Sequence, residues 1–136
     1  DILNTPESIF IGLSKRTDER AIKNLSEKID KNIVPVPVKK GLHLKSAVSY
    51  LGNNTLLINP ERIGADEFRN FQWIEVEEKD SYVANCLVLR NQVIMPSGFS
   101  TIREKIRQNG FETVELEMSE FEKADGGVTC LSLIFP

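Results

Sequence analysis

Two cysteines and one histidine are the residues of this 136-residue chain that could carry nucleophilic chemistry. Cys130 follows two glycines in the segment Asp125-Gly126-Gly127-Val128-Thr129-Cys130. A free thiol with a pKa of about 8.5 is mostly protonated at neutral pH, so a nucleophilic cysteine needs a neighbouring base or cation. His43 is the single histidine, and imidazole is the side chain whose ordinary pKa suits proton transfer near neutrality. The pair could perform thiol catalysis if the fold brings the two side chains together.

Each of these side chains also has an ordinary structural interpretation. Free cysteines are often buried, and an apolar, β-prone run follows Cys130, so this stretch alone favours a small core residue at the start of a strand from Thr129. A histidine between two strands is more often a surface or hydrogen-bonded residue. The other candidate groups are Arg16, Asp125 and Asp1. One histidine and two distant cysteines make a poor zinc site, so we expect no metal.

The composition indicates a single soluble domain. The chain is 40% hydrophobic and 27% charged, and at this length about two-thirds of the unfolded surface can be buried. The net charge is −3 without a block of Lys or Arg, so we expect no nucleic acid partner. No apolar run approaches the roughly 20 residues that span a bilayer, and two cysteines are too few for a disulfide framework. We therefore expect a cytoplasmic protein without a membrane partner.

Hydrophobic periodicity predicts the same succession of elements three times, a hairpin followed by a helix and a strand. The first set covers residues 1–4, 8–13, 18–31 and 33–38. The second covers 46–51, 55–58, 60–69 and 72–76, and the third covers 84–89, 92–95, 100–109 and 113–116. A charged loop at 77–81, a helical turn at 119–122 capped by Ser119 and the final strand complete the prediction.

A repeated ββαβ unit is therefore the expected architecture, in the mixed α/β class. No single unit can bury both faces of its strands and helix, so such units are expected to pack side by side around an axis. Pro35 and Pro37 remove backbone donors from the run at 33–38, so this run belongs at a sheet edge or at the ends of a strand. A parallel three-layer sandwich is the alternative architecture, and the predicted hairpins argue against it.

Four short blocks of sequence carry a resemblance to a known enzyme family. They are Phe10-Ile11-Gly12-Leu13-Ser14-Lys15-Arg16-Thr17, Gly41-Leu42-His43-Leu44-Lys45-Ser46, Val83-Ala84-Asn85-Cys86 and the glycine block that ends at Cys130. In order and approximate spacing they resemble the dimethylarginine dimethylaminohydrolases, which belong to the pentein superfamily of five ββαβ modules around a pseudo-fivefold axis. The resemblance implies that residues 1–136 form the C-terminal part of a pentein domain, about three modules. The N-terminal half would come from another chain or from sequence upstream.

The resemblance also implies an activity and roles for individual residues. The expected reaction is hydrolysis of N-methylated arginine to citrulline and a methylamine through a covalent thiouronium intermediate. Cys130 would be the nucleophile and His43 the general acid and base. Arg16 would bind the substrate α-carboxylate, and the backbone carbonyl of Ala124 would accept the substrate amino group. The expected partner is a small-molecule guanidino substrate, and no cofactor is expected.

One departure from the family pattern keeps other interpretations open. In the family an acidic residue that orients the histidine begins an Asp/Glu-Gly-Gly-Asp motif, and Asp1 fits only its last letter. An arginine deiminase, or more remotely an amidinotransferase, would use the same cysteine and histidine. Lys45 favours the dimethylarginine hydrolase, because arginine deiminases usually carry an acidic residue two positions after the histidine. A noncatalytic pentein fragment that only binds or assembles is the third interpretation.

Overall fold

Three separate three-stranded sheets organise residues 1–135, which a computed structural model describes. In each sheet an antiparallel hairpin shares its second strand with a third strand that runs parallel to it. A helical segment joins the second strand to the third in every unit. The predicted threefold ββαβ repeat and the mixed α/β class are confirmed.

The bounds of the elements follow the repeat. The first unit contains β1 (Ile2–Asn4), β2 (Ser8–Leu13), α1 (Glu19–Ser26) and β3 (Asn32–Pro37). The second contains β4 (Val48–Gly52), β5 (Thr55–Ile58), a 3-10 helix (Ala65–Phe68) and β6 (Gln72–Glu75). The third contains β7 (Leu87–Leu89), β8 (Gln92–Pro96), α2 (Ser100–Gln108) and β9 (Glu112–Leu116). Further 3-10 helices (Leu44–Ser46 and Glu78–Ala84) and a short α3 (Ser119–Glu122) lie outside the units.

Turn and edge residues explain why the strands stop where they do. Asn53 and Asn54 both have positive φ angles, of 47° and 56°, in the β4–β5 turn, and Arg90 has a φ of 57° in the β7–β8 turn. Asparagine tolerates this left-handed conformation better than most residues. Among residues 1–135 β3 pairs with β2 alone, so it is an edge strand, which is one of the two positions that Pro35 and Pro37 predicted.

The units bury their apolar faces against one another. Phe10 of the first unit and Phe68 of the second lie with ring centroids 4.6 Å apart in one core cluster. A second cluster joins Leu57 of the second unit to Met95 and Ile106 of the third. Burial of aromatic and aliphatic surface between neighbours is the main favourable term for such packing. The cores therefore lie between units, as the expected side-by-side arrangement requires.

Two predicted helices are shorter than their periodicity suggested. The helix expected at 18–31 ends at Ser26, whose hydroxyl donates 2.7 Å to the Lys23 carbonyl and competes with continued helix. The helix expected at 60–69 is reduced to one 3-10 turn.

The predicted cap at Ser119 is also wrong, because Met118 is the N-cap and the Glu117 carboxylate accepts the Ser119 N–H instead.

The predicted final strand from Thr129 is wrong within the described residues. The N–H groups of Cys130 and Leu131 both donate to the Gly127 carbonyl, at 3.0 and 3.3 Å, which makes a turn. Leu133 and Phe135 beyond it are 85% and 79% exposed. No strand among residues 1–135 pairs with this run, and an apolar sequence without an adjacent strand cannot form a ladder. Pro136 lies outside the described residues.

None of the helices within residues 1–135 has the length and apolar content needed to traverse a lipid bilayer. The expected cytoplasmic location and the expected lack of a nucleic acid partner stay predictions.

Candidate active site

A cavity of about 610 Å³ is lined by both His43 and Cys130. Its walls come from parts of the chain that are far apart in sequence: Asp1, residues 41–46, Arg62, residues 81–85 and residues 122–130. This volume lies in the range of small-molecule sites. The fold thus places the candidate imidazole and the candidate thiol on one concave surface.

The two cysteines have opposite surroundings. Cys130 is exposed and lines the cavity, so its interpretation as a core residue is wrong. Cys86 is buried, and its thiol donates 3.0 Å to the Val83 carbonyl. Burial raises the pKa of Cys86 to about 12, although the positive charge of Lys45 opposes that shift. Only Cys130 is therefore presented for reaction with a ligand.

Residues 125–130, the Cys130 segment, are held from behind by residues 81–85. The Tyr82 hydroxyl donates to the Gly126 carbonyl at 2.6 Å, and the Asn85 side-chain oxygen accepts the Thr129 N–H at 2.9 Å. Asp125 bends the segment with a φ of 56°. These contacts fix the backbone at Gly126 and at Thr129, on either side of Gly127, and so orient the turn that carries Cys130.

Residues 41–46, the His43 segment, are held by their own turn and by Asp1. The His43 carbonyl accepts the Ser46 hydroxyl at 2.6 Å and the Ser46 N–H at 3.1 Å. The Leu44 N–H donates to the Asp1 carboxylate at 2.8 Å, and the Leu44 side chain is fully buried. Asp1 therefore supports the backbone beside the imidazole.

Arg16 lies close to this arrangement but outside the cavity lining. The hydroxyls of Ser14 and Thr17, on either side of it, donate to the Asp1 carboxylate at 2.8 and 2.9 Å. The same carboxylate thus ties the Arg16 loop to the His43 segment. The Arg16 side chain itself is exposed.

Ala124 also lies outside the cavity lining. It is exposed, and its N–H donates to the Phe121 carbonyl at 3.0 Å at the end of α3. Its sequence neighbours Glu122 and Asp125 do line the cavity. Ligand roles for Arg16 and Ala124 stay predictions.

The imidazole is neutral at neutral pH. Partial burial lowers the pKa of His43, and the positive charge of Arg16 lowers it further. A neutral imidazole can accept a proton from a thiol and later return it. The imidazole therefore has the protonation state from which it can accept a proton.

Several side chains of the cavity wall were not singled out from the sequence. Lys45 is half-buried there, and burial lowers its pKa while the nearby thiols of Cys130 and Cys86 oppose that shift. In the sequence, the position of Lys45 two residues after the histidine indicated only the substrate class and not a place in the cavity wall. Tyr82 gave no signal, because it follows a charged stretch that resembled a solvated loop.

That charged stretch is in fact ordered. Glu78 begins the 3-10 helix and accepts two hydrogen bonds from the Arg62 guanidinium, at 2.9 and 3.0 Å. The ion pair lowers the pKa of Glu78 to about 2 and holds Arg62 at the cavity wall. Within the part of the chain that the structure describes, no three His, Cys, Asp or Glu side chains are grouped as a metal site.

Comparison with known proteins identifies the family. The family model for N,N dimethylarginine dimethylhydrolase, eukaryotic, matches residues 2–134. The chain belongs to the dimethylarginine dimethylaminohydrolase family. A relative of that name from Pseudomonas aeruginosa is 38% identical over 99% of this chain and 54% of its own length. The chain therefore spans about half the length of the curated relatives it matches.

Solved structures agree with this family assignment. A cysteine-to-serine variant of the Pseudomonas aeruginosa dimethylarginine dimethylaminohydrolase, in complex with citrulline, matches 99% of this chain and 54% of that chain with a TM-score of 0.91 at 38% identity. The N-terminal domain of ArgZ, a cyanobacterial arginine dihydrolase, matches 98% of this chain and 54% of that chain with a TM-score of 0.89. At 23% identity the second match shows the shared fold alone.

Proposed function

We propose that this chain provides the nucleophile and the proton shuttle of a hydrolase that converts dimethylarginine to citrulline and dimethylamine. The observation that carries the proposal is one cavity, in a member of the dimethylarginine dimethylaminohydrolase family, lined by an accessible thiol and a half-buried neutral imidazole. The citrulline complex of the Pseudomonas aeruginosa relative supports the same product class.

In the first step, the Cys130 sulfur attacks the guanidinium carbon. The proton of the thiol passes to His43, a sulfur–carbon bond forms, and the bond from that carbon to the dimethylated nitrogen breaks. His43 gives its proton to the departing dimethylamine. A covalent thiouronium remains on Cys130, and the imidazole is neutral again, as the lowered pKa of His43 requires.

In the second step, water releases the product. Neutral His43 takes a proton from the water, and the oxygen attacks the thiouronium carbon. The sulfur–carbon bond then breaks while the hydroxyl proton of the intermediate passes to solvent, citrulline leaves, and the proton held by His43 returns to Cys130. Splitting one difficult substitution into two easier ones is the general benefit of covalent catalysis.

The charges near the cavity suit an amino acid with a cationic side chain. We assign the substrate α-carboxylate to Arg16, since a guanidinium binds a carboxylate with two parallel hydrogen bonds. We assign the substrate amino group to the Ala124 carbonyl. Glu122 and Asp125, which lie near Ala124 in sequence and line the cavity, add negative charge where the substrate ammonium group would lie.

We further propose that residues 1–136 form three modules of a five-module pentein domain whose other modules come from a further length of polypeptide. The chain spans about half of its curated relatives. A second cavity of about 470 Å³, lined by Ile2 and Ile134, lies on the side of β1 and β7. Ile2 and Ile134 are 49% and 61% exposed, so this surface is available for the remaining modules. Those modules would also supply the acidic residue that orients His43.

Citrulline formation tests the proposal. The chain is assayed with dimethylarginine and with arginine, both alone and with the N-terminal half of a dimethylarginine dimethylaminohydrolase supplied. Turnover of dimethylarginine in the completed protein supports the proposal. Preference for arginine would instead indicate a deiminase, and no turnover of either substrate would indicate a noncatalytic fragment.

A further inference from the structure

We propose that Asn85 is a positioning residue that sets the spacing between the His43 segment and the Cys130 segment. The inference rests on the proposed function, because it concerns the same thiol and imidazole. Asn85 does not need to touch the substrate to fill this role. It acts through the two backbone segments that its side chain joins.

The Asn85 amide makes contacts in two directions. On one side its nitrogen donates to the Lys45 carbonyl at 3.0 Å, two residues after His43. On the other side its oxygen accepts the Thr129 N–H at 2.9 Å, one residue before Cys130. The Thr129 hydroxyl lies 3.0 Å from the amide nitrogen and 3.1 Å from the amide oxygen. One planar group therefore joins the two reactive segments.

These partners determine the orientation of the amide. A backbone N–H can only donate and a backbone carbonyl can only accept, so the oxygen must face Thr129 and the nitrogen must face Lys45. An aspartate has the same shape, but its ionised carboxylate has no donor for the Lys45 carbonyl. The arrangement therefore requires a short side chain that is a donor and an acceptor at once.

The backbone that carries Asn85 is itself fixed. The buried Ser49 hydroxyl donates to the Ala84 carbonyl at 2.7 Å and accepts the Cys86 N–H at 3.0 Å, so it holds the residues before and after Asn85. Asn85 is only 6% exposed. A buried, fully hydrogen-bonded group on a fixed backbone can hold its partners at a definite distance from each other.

Gly127 provides the close approach that this contact needs. A β-carbon at that position would lie 2.7 Å from the Asn85 amide carbon, inside any normal contact distance. A larger residue would push the Cys130 segment away from Asn85. Small displacements of reacting groups are costly, since a shift of about 1 Å can reduce a rate by a factor on the order of 100.

The test is a double-mutant cycle on Cys130 alkylation, a readout that needs no substrate. In this reaction the Cys130 sulfur displaces iodide from iodoacetamide, and the rate in the full chain reports how His43 affects the thiol. His43→Ala is expected to change that rate about five-fold in the parent chain. In the Asn85→Asp background it should change the rate less than about two-fold, because the imidazole and the thiol are no longer held in register.

Two further variants make the cycle specific. Gly127→Ala disturbs the same contact from the opposite side and should also reduce the coupling between His43 and Cys130. Ser132→Ala removes a 2.6 Å hydrogen bond to the Val128 carbonyl but touches no part of the His43 segment, so the coupling should persist. Protection of the buried Cys86 thiol from alkylation is the check that the core of each variant is folded. Gly127→Ala keeps Asn85 intact, so it carries the test if Asn85→Asp fails that check.

The proposal would be overturned if the effects of His43→Ala and Asn85→Asp on the alkylation rate simply multiplied in the double variant, because the two residues would then not be coupled. It would also be overturned if His43→Ala left the parent alkylation rate unchanged. In the completed enzyme, Asn85→Asp should lower kcat about ten-fold or more with KM changed less than about three-fold. Loss of stability alone would not produce that division between kcat and KM. Since alkylation needs no turnover, failure of the proposed reaction and failure of this inference give different results.

Discussion

The regions around Cys130 and Cys86 show how one residue type is placed in two different environments. Cys86 belongs to the core between the second and third units, where it is 2% exposed and has a pKa of about 12. Cys130 lies in an exposed turn on the wall of a 610 Å³ cavity shared with His43. Burial in apolar surroundings keeps a thiol protonated and inert, whereas a turn held by distant hydrogen bonds can present it.

The comparison also shows that the two regions are physically connected. Asn85 directly precedes Cys86 in the chain, and its side chain holds the Cys130 segment through Thr129. The buried cysteine therefore adjoins a residue that supports the cavity wall, and the exposed cysteine lines the cavity itself. Replacing each should affect a different property of the protein.

The largest expected effect is on turnover. In the completed enzyme, Cys130→Ser should lower kcat by at least about 10³-fold, because a hydroxyl at neutral pH is a far weaker nucleophile than a thiolate. Cys86→Ala should leave kcat within about three-fold of the parent value. Rates of citrulline formation from dimethylarginine provide the measurement. Equal losses in the two variants would mean that the wrong thiol has been assigned.

The next effect concerns the cation beside His43. Arg16→Lys should raise KM about ten-fold with little change in kcat, since lysine cannot bind a carboxylate through two parallel hydrogen bonds. Arg20→Lys, on the exposed face of α1, is the matched control and should leave KM unchanged. Steady-state kinetics of the two variants decide the matter. An unchanged KM for Arg16→Lys would remove the proposed carboxylate contact.

The two cysteine substitutions should affect the free energy of unfolding in the opposite order to their effects on turnover. Cys86→Ala removes a buried sulfur and should lower the free energy of unfolding by about 1 kcal/mol. Cys130→Ser alters an exposed side chain and should change it by less than about 0.5 kcal/mol. Urea unfolding at pH 7 measures both. If Cys130→Ser were the more destabilising substitution, the thiol would belong to the packed core after all.

The smallest effect is a pH dependence that comes from His43. Its pKa is lower in the folded chain than its ordinary value of 6.5, so below that value the unfolded chain binds more protons and stability falls as pH decreases. The parent chain should therefore lose more stability than His43→Gln between pH 7.5 and pH 5. Melting temperatures across that range provide the comparison. Parallel curves for the two proteins would show that the imidazole is not desolvated.

The repeat and the family were accessible from sequence because each depends on local information. Alternating apolar residues and turn residues such as Asn53 and Asn54 determine hairpins over short distances, and the four motif blocks are contiguous. The sequence also suggested that Cys130 and His43 could meet. That both line one cavity depends on the packing of units and had to come from the structure.

Two of the errors arose where tertiary contacts override local pattern. The apolar run after Thr129 resembles a strand, but no sheet edge pairs with it among residues 1–135. The support of the site was also missed, because the partners of Asn85 lie 40 and 44 residues away in sequence. A polar residue beside a cysteine gives no local indication that it joins two distant loops.

Detection of a covalent intermediate on Cys130 tests the central claim most directly. The completed enzyme is mixed with dimethylarginine, quenched in acid during turnover and digested, and the cysteine peptides are analysed by mass spectrometry. A thiouronium adduct equal to the substrate minus dimethylamine is expected on the peptide that contains Cys130, with the Cys86 peptide unmodified. Citrulline formation with no adduct on Cys130, or with the adduct on Cys86, would contradict the mechanism.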